Sequence, residues 1–405
     1  MDNLSVEELA LQRKRFAHLS DDEFRFMLQQ VEGRQRTRDK LPTFAQIEDW
    51  WYPVRLSCEQ CSSEATASYK AQLLADFLSL KGRGKGVFTD LTGGYGVDTY
   101  FMSEHACEAH YVERNEDLCK IAAHNFAMTR PQVRIHHTDA THFLTQMQGC
   151  DVIYIDPARR DQHGGKVFRL EDCEPNVIEL LPTLRSKSNL IIIKLSPMLD
   201  ITQALQSLKG NWDVHIVAIK NEVKEVLLLS HIPTASLDIS PKGYRRDSEG
   251  MIYAVNLHSH VFPDTPPTPF VFSKEEERAA ECKFYDASQK YLIESGAYIY
   301  EPNAAIIKAG AFKLIAERYS LSKMAPNTHL YLADQLISDF PGRVWQIIES
   351  NIKDAKNASA NILTRNYPLS PELLRKKLKI KDSDTHTVIG ARLADKPTLF
   401  LCKKI

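Results

Sequence analysis

The stretch "VFTDLTGGYGVDTYFM", residues 87–102, decides the fold class. It passes from an apolar, partly β-branched run through Gly93, Gly94 and Gly96 into helical spacing. Glycine lets backbone approach a ligand closely, and a helix N-terminus offers unpaired N–H groups. Three glycines in four residues at a strand-to-helix switch therefore predict a nucleotide-type ligand. What is missing narrows its class. A dinucleotide fingerprint needs another glycine three residues after Gly96, where Thr99 stands. No G-K-[ST] follows, so a phosphate-cradling P-loop is excluded.

Outward from this turn, short strand-like runs alternate with helical stretches. The runs are "VFTDL", "EAHYVE", "QVRIHH", "DVIYID" and "NLIIIKL", with helix candidates at 98–105, 117–126, 140–146, 175–181 and 200–208. This order predicts a parallel sheet with helices on both faces. "WDVHIVAIK" and "EVKEVLLLSHI" follow with only a short turn between them, which predicts a hairpin and an antiparallel strand. Ligands of such sheets bind outside the carboxyl ends of the strands. The first strand ends at Asp90, with Thr92 next in the turn. The second ends in Glu113, a carboxylate suited to two ribose hydroxyls, and the third leads to Asp139-Ala140, where Asp139 can accept from an adenine amine. Glu113 or Asp139 alone reads more often as a cap or a surface charge. Taken in order they form an adenosine site without a pyrophosphate site, which points to S-adenosylmethionine. Asp90, Thr92, Gly94, Gly96, Glu113, Asp139, Ala140 and Asp156 are the expected cofactor contacts.

The fourth strand ends in "DVIYIDPARRDQHGG", residues 151–165. Asp156 and the carbonyl of Pro157 can accept hydrogen bonds from a target amine and aim its lone pair at a methyl donor. Amino-methylating enzymes carry Asp-Pro-Pro-Tyr or a relative at this place. Here Arg159 stands where the base-stacking aromatic is expected, so Asp156, Pro157 and Arg159 are the catalytic candidates. Arg159 and Arg160 suit phosphate or a carboxylate partner; a loop ion pair gives the same sequence. The fifth strand ends in "KLSP", with Lys194 and Ser196 on the substrate side and no cysteine placed to attack a uracil carbon.

"EQCSSEATASYKA", "DLTGGYGVDTYFMS", "YVERN", "YIDPARRD" and "KLSPMLDI" together resemble the class I S-adenosylmethionine methyltransferases that carry C-terminal ferredoxin-like and THUMP-like domains. The resemblance covers the chain from about residue 56 to its end. It implies an α/β, Rossmann-like sheet of parallel strands closed by an antiparallel hairpin. An N-terminal helical region precedes it, and small α+β domains follow. The expected boundaries are 1–80 for the helical region, 81–260 for the methyltransferase domain, 261–342 for the ferredoxin-like segment and 343–405 for the THUMP-like domain. Such domains accompany RNA binding in other enzymes, so RNA is the expected partner and an amino nitrogen of an RNA base the expected target. A protein or small-molecule substrate, or a non-catalytic binding module, are the alternatives. The resemblance also singles out the helix before strand one. Gln60, Ser63, Thr66 and Lys70 recur at spacings of three or four and share a face, as contacts to cofactor or target or as a polar outer face.

Composition agrees with a globular, multidomain protein. The 405 residues exceed one core, and no apolar run is long enough to cross a bilayer. The charged, helical start is unlike a signal peptide, and eight scattered cysteines suit a reducing, cytoplasmic setting. Net charge is −1, but residues 351–405 hold 12 Lys and Arg against 5 Asp and Glu, a balance of +7 that leaves −8 for the rest. A basic tail on an acidic body is the footprint of a polyanion partner, or a solvated helix face. Cys58-x-x-Cys61 lacks a second ligand pair beyond the ill-placed Cys107-x-x-His110, so no metal is expected. Trp50-Trp51-Tyr52-Pro53 is expected to anchor the N-terminal helices, Tyr244-Arg245-Arg246 to lie in a surface loop, and the proline-rich 261–270 to be a linker.

Overall fold

The computed structural model describes residues 5–82, 84–159, 170–231, 250–263, 267–352, 359–383 and 385–405. Arg160, the Tyr244-Arg245-Arg246 loop and part of the proline-rich stretch lie outside them, as does the side chain of Arg159. The chain forms two compact units, one from residues 1–220, 224–250 and 257–268, the other from 221–223, 251–256 and 269–405.

The first unit opens with helices α1 (Val6–Leu11), α2 (Asp21–Thr37), α3 (Pro42–Gln46), α4 (Arg55–Gln60) and α5 (Glu64–Leu80). Ser5 and Ser20 start α1 and α2 with reciprocal capping boxes to Glu8 and Glu23. Strands and helices then alternate: β1 (Gly86–Asp90), α6 (Val97–Met102), β2 (Ala106–Glu113), α7 (Glu116–Thr129), β3 (Val133–His137), α8 (Ala140–Gln146) and β4 (Cys150–Ile155). A two-residue ribbon follows, β5 (Ala158–Arg159) against β6 (Cys173–Glu174), then α9 (Val177–Lys187), β7 (Ser188–Leu195), α10 (Ile201–Leu208), β8 (Asp213–Ile219) and β9 (Glu222–His231). Every residue of β4 is buried, as a parallel strand covered on both faces requires.

The seven main strands lie in the order β8-β9-β7-β4-β1-β2-β3. Strands β3, β2, β1, β4 and β7 are parallel, and β9 pairs antiparallel with β7. The hairpin thus follows the five parallel strands as expected, but its second strand inserts beside β7 and pushes β8 outward. The short turn puts Lys220 and Asn221 in the left-handed region, at φ 49° and 67°. The N-terminal helices share a core with the sheet's first helices. Leu41, Phe44, Trp50 and Tyr52 pack with Tyr95, Tyr100, Tyr111 and Phe126. Trp50 Nε1 donates to Tyr95 Oη at 2.8 Å, Asn125 bonds both the N–H and the carbonyl of Trp51, and the Trp51 ring stacks on His124.

The second unit holds β10 (Ile252–Leu257) and β11 (Phe270–Phe272), an antiparallel pair, then α11 (Lys274–Ala279), β12 (Lys283–Phe284), β13 (Tyr298–Pro302), α12 (Ala304–Ala309), α13 (Leu314–Arg318), β14 (Ser322–Ala325) and β15 (Thr328–Ala333). It ends with β16 (Gly342–Ser350), β17 (Asn361–Arg365), α14 (Pro371–Leu378), β18 (His386–Leu393) and β19 (Lys396–Lys404). Eight of these strands form one sheet, β12-β14-β15-β13-β16-β19-β18-β17. Two helices suggested by the sequence are broken. "NAAIIKAGAFKLIAERY" divides at Gly310, whose φ of 80° ends α12. The helical spacing of 275–295 gives α11, the short strand β12 and a 3-10 helix.

One buried ion network ties the first unit together. Lys70 on α5 is fully buried, and its Nζ donates to both carboxylate oxygens of Glu225 on β9, each at 2.7 Å. Removing one partner of such a pair strands a charge at a cost of about 3–5 kcal/mol. Lys70→Met is therefore expected to lose about that much unfolding free energy in urea, and the double change with Glu225→Leu to regain a good part of it. A loss in the double variant equal to the sum of the two single losses would show that the two side chains are not coupled.

Candidate functional site

The glycine turn is built by close approach. A Cβ on Gly93 would lie 2.2 Å from the Tyr111 ring, and one on Gly96, at φ 86°, 2.8 Å from Phe126. Gly94 is the opposite case: its Cβ position is open, with nothing nearer than the Thr92 carbonyl at 3.8 Å. Its N–H donates to Glu113 Oε2 at 2.9 Å and its carbonyl accepts from Tyr111 Oη at 2.6 Å. Glu113 Oε1 accepts from the Asn115 N–H at 2.8 Å. The ionised carboxylate has lone pairs left for two hydroxyls.

Asp90 ends β1 buried. Its two oxygens accept from Thr99 Oγ1 at 2.6 Å and the Thr92 N–H at 2.9 Å. Burial pushes its carboxyl up to about 7, against the pull of those two hydrogen bonds. Thr92 Oγ1 in turn accepts from the Asp156 N–H at 2.7 Å, so the first and fourth strand ends are tied through one hydroxyl. Asp139 caps α8 by accepting from the His142 N–H at 2.9 Å. Together these residues line a cleft of about 720 Å³ that includes Asp90, Thr92, Gly94, Gly96, Glu113, Asp139, Ala140 and Asp156. The floor next to β4 is Lys194, whose Nζ lies 2.5 Å from Asp156 Oδ2 and 3.7 Å from Asp98 Oδ2.

The remaining expected positions divide. Gln60 and Lys194 line the cleft. Ser63 and Thr66 are buried and not part of the lining: Ser63 caps α5 through the Thr66 N–H, and the Thr66 hydroxyl folds back on the Ser63 carbonyl. Lys70 is spent on Glu225, Ser62 and Asp98. Ser196 also lies off the lining and accepts from the Met198 N–H in the turn after β7. Asp156 and Ala158 line the cleft while Pro157 is buried between them. Cys58 and Cys61 are thiol donors to the carbonyls of Pro53 and Cys58, and burial pushes Cys58 up to about 12.

The sequence reading passed over Asp98, Ser62, Tyr154 and Glu225. Asp98 accepts from Ser62 Oγ at 2.8 Å and Tyr154 Oη at 2.7 Å, and its Oδ1 lies 3.2 Å from Lys70 Nζ outside hydrogen-bond geometry. Burial works to raise the Asp98 carboxyl, but Lys70 and Lys194 outweigh it and hold it below the ordinary range. Burial likewise works to lower Lys194, but Asp156, Asp98 and Glu225 outweigh it and push the ammonium up. The available signal was a carboxylate in "KEVLLLS", where Glu225 directly precedes a run of fully apolar residues. Across the cleft mouth, Arg114 pairs with Glu174 at 2.9 Å.

Similarity to known proteins accounts for this geometry. A protein of Porphyromonas gingivalis W83 whose crystal structure is named for a methyltransferase is 32% identical, covers 100% of this chain and 99% of its own, and superposes with a TM-score of 0.78. The chain belongs to the class I S-adenosylmethionine-dependent methyltransferases. At its end a ferredoxin-like domain family matches residues 298–341 and a THUMP domain-like family residues 342–404. An uncharacterized S-adenosylmethionine-dependent methyltransferase of Mycobacterium tuberculosis, from strains H37Rv and CDC 1551, is 22% identical over 367 residues, 87% of this chain and 89% of its own. The methyltransferase thus uses S-adenosylmethionine as its cofactor, and no helix among the described residues is long and apolar enough to cross a membrane.

Asp90 gives the cofactor-free methyltransferase a pH signature. Its folded carboxyl keeps a proton up to about 7, the unfolded one only to its ordinary 3.8. The folded state therefore binds more protons in that window, and stability falls as pH rises through it, by at most roughly 1.4 kcal/mol per pH unit. Urea unfolding across the window should show this slope, and Asp90→Asn should flatten it; an unchanged slope in the variant would assign the effect to another group.

Proposed function

We propose that this methyltransferase acts on RNA, with Asp156 orienting the accepting group of one nucleotide. The observation that carries the reading is the pairing of a THUMP domain-like segment with exposed lysines. In α14, Leu374 and Leu378 are buried while Lys376 and Lys377 are exposed, and Lys379 beyond its end is exposed as well. Such a face binds phosphate without reading sequence. The cleft itself is acidic, with Asp98, Glu113, Asp139 and Asp156 among its walls. It suits a cationic methyl donor and a nucleoside, not a phosphate chain. The reading thus separates the tasks: one surface holds the polyanion and another receives a single residue of it.

Gly94 backbone, Glu113 and Asp139 would hold the cofactor, which supplies an already activated methyl group. The protein's share is then placement. Asp156 would accept a hydrogen bond from the target group and align its lone pair, and proximity of this kind supplies much of the rate. An amino nitrogen of a base is the target that the Asp156-Pro157 pair by itself supports. The setting is cytoplasmic, in line with eight free thiols.

Labelled methyl transfer to RNA from cells lacking the gene, followed by nucleoside analysis, tests the reading. Wild type should label RNA, and Asp156→Asn should lower the rate about 100-fold with cofactor binding retained. Lys376→Ala with Lys377→Ala should weaken RNA binding and reduce its log–log salt slope by about 2. Transfer to protein extract but not to RNA would replace RNA as the substrate.

A further inference from the structure

Resting on RNA as substrate, the surroundings of Asp156 bear on which atom receives the methyl group. Methylating an amino nitrogen builds positive charge on that nitrogen. A cation fixed beside it opposes the reaction. Methylating a hydroxyl builds negative charge on oxygen as its proton leaves, and the same cation then helps. Lys194 is such a cation: it lines the cleft, with Nζ 2.5 Å from Asp156 Oδ2. The side chain of Asp156 is 36% exposed, against 14% for Lys194, so the pair opens to the cleft through the carboxylate.

Lys194 is also held from behind. Ser62 Oγ accepts from Lys194 Nζ and from Lys70 Nζ, both at 3.3 Å, and donates to Asp98 at 2.8 Å. Lys70 is fixed by Glu225. Two ammonium groups and three carboxylates therefore meet at the ends of β4 and β7, an excess of one negative charge. Burying ions is costly, and apolar residues would hold the same elements at least as well. An amine target needs only a hydrogen-bond acceptor. A hydroxyl target needs a proton acceptor and is helped by a cation held beside it, which is what the Asp156–Lys194 pair supplies.

We infer that the target is a hydroxyl oxygen of RNA, the ribose 2′-hydroxyl, with Asp156 as proton acceptor and Lys194 as the stabiliser of the developing oxyanion. The hydroxyl oxygen forms the new bond to the donor's methyl carbon. The carbon–sulfur bond breaks and its electron pair stays on sulfur, which turns from sulfonium to neutral thioether. The hydroxyl proton passes to the Asp156 carboxylate and from there to solvent, while Lys194 keeps its charge throughout. The inside chain of an RNA offers free hydroxyls only on its riboses, which fixes the class of target.

Alkaline hydrolysis tests this directly, because a 2′-O-methyl group blocks cleavage at its own position. RNA labelled by the full-length enzyme should release label in alkali-stable dinucleotides. Label in mononucleotides would overturn the hydroxyl target and leave RNA standing. No label in RNA at all would remove the reading on which the inference rests. Lys194→Met should lower transfer about 100-fold, the scale of one charge-stabilising group, and Lys194→Arg should restore part of it. Calorimetry with S-adenosylmethionine should show binding by Lys194→Met within a few-fold of wild type. A transfer rate unchanged or raised in Lys194→Met would point to an amine, and loss of cofactor binding in step with the rate would make Lys194 merely structural.

Discussion

Burying charge is the constraint around which the first unit is organised. Lys70, Glu225, Asp98, Lys194 and Asp156 come from α5, β9, α6, β7 and the end of β4, and each is within ion-pair distance of another. Lys70, Glu225, Asp98 and Lys194 are withdrawn from water, and none of these four can lose its partner cheaply. The elements that carry them are therefore tied to one another by ion pairs as well as by apolar packing. Asp98 lies in the first turn of α6, directly after the glycine turn, so the network also sets where that turn can stand. The insertion of β9 beside β7 belongs to the same constraint, since it brings Glu225 over Lys70.

Much of this architecture could be read from local pattern. Alternating apolar runs and capped helices place five strands in order. The residues at their ends fall in one cleft because a parallel sheet delivers every carboxyl end to the same side. Thr92, Glu113 and Asp139 needed nothing more. What could not be read depended on contacts distant in sequence. Ser63, Thr66 and Lys70 share a helical face, but periodicity does not say whether that face meets a ligand, its own cap or a carboxylate 155 residues away. Glu225 and Tyr154 look like incidental polar residues in apolar strands until the fold aims them at Lys70 and Asp98. Gly310 was visible, yet the helical pattern on both sides of it hid the break.

The C-terminal segments show a different limit. The two family matches meet between residues 341 and 342, yet both sides of that boundary lie in one eight-stranded sheet. Strand β13 pairs with β16 across it, and the buried Glu301 of β13 accepts from Arg343 of β16 and Arg365 of β17. A boundary drawn from sequence families is thus not a boundary between separately folding pieces. Splitting the chain there would expose sheet edges and strand a buried carboxylate.

The shared aromatic core has a consequence for how the chain comes off the ribosome. Leu41, Phe44, Trp50 and Tyr52 find their partners among residues 95–126. During synthesis these four apolar side chains emerge before their partners in 95–126 exist. The nascent chain therefore passes through a stage in which its first helices are made but their inner face is bare, the kind of surface on which chaperones act and proteases cut. That stage cannot end before α7, with Asn125 and Phe126, has been made.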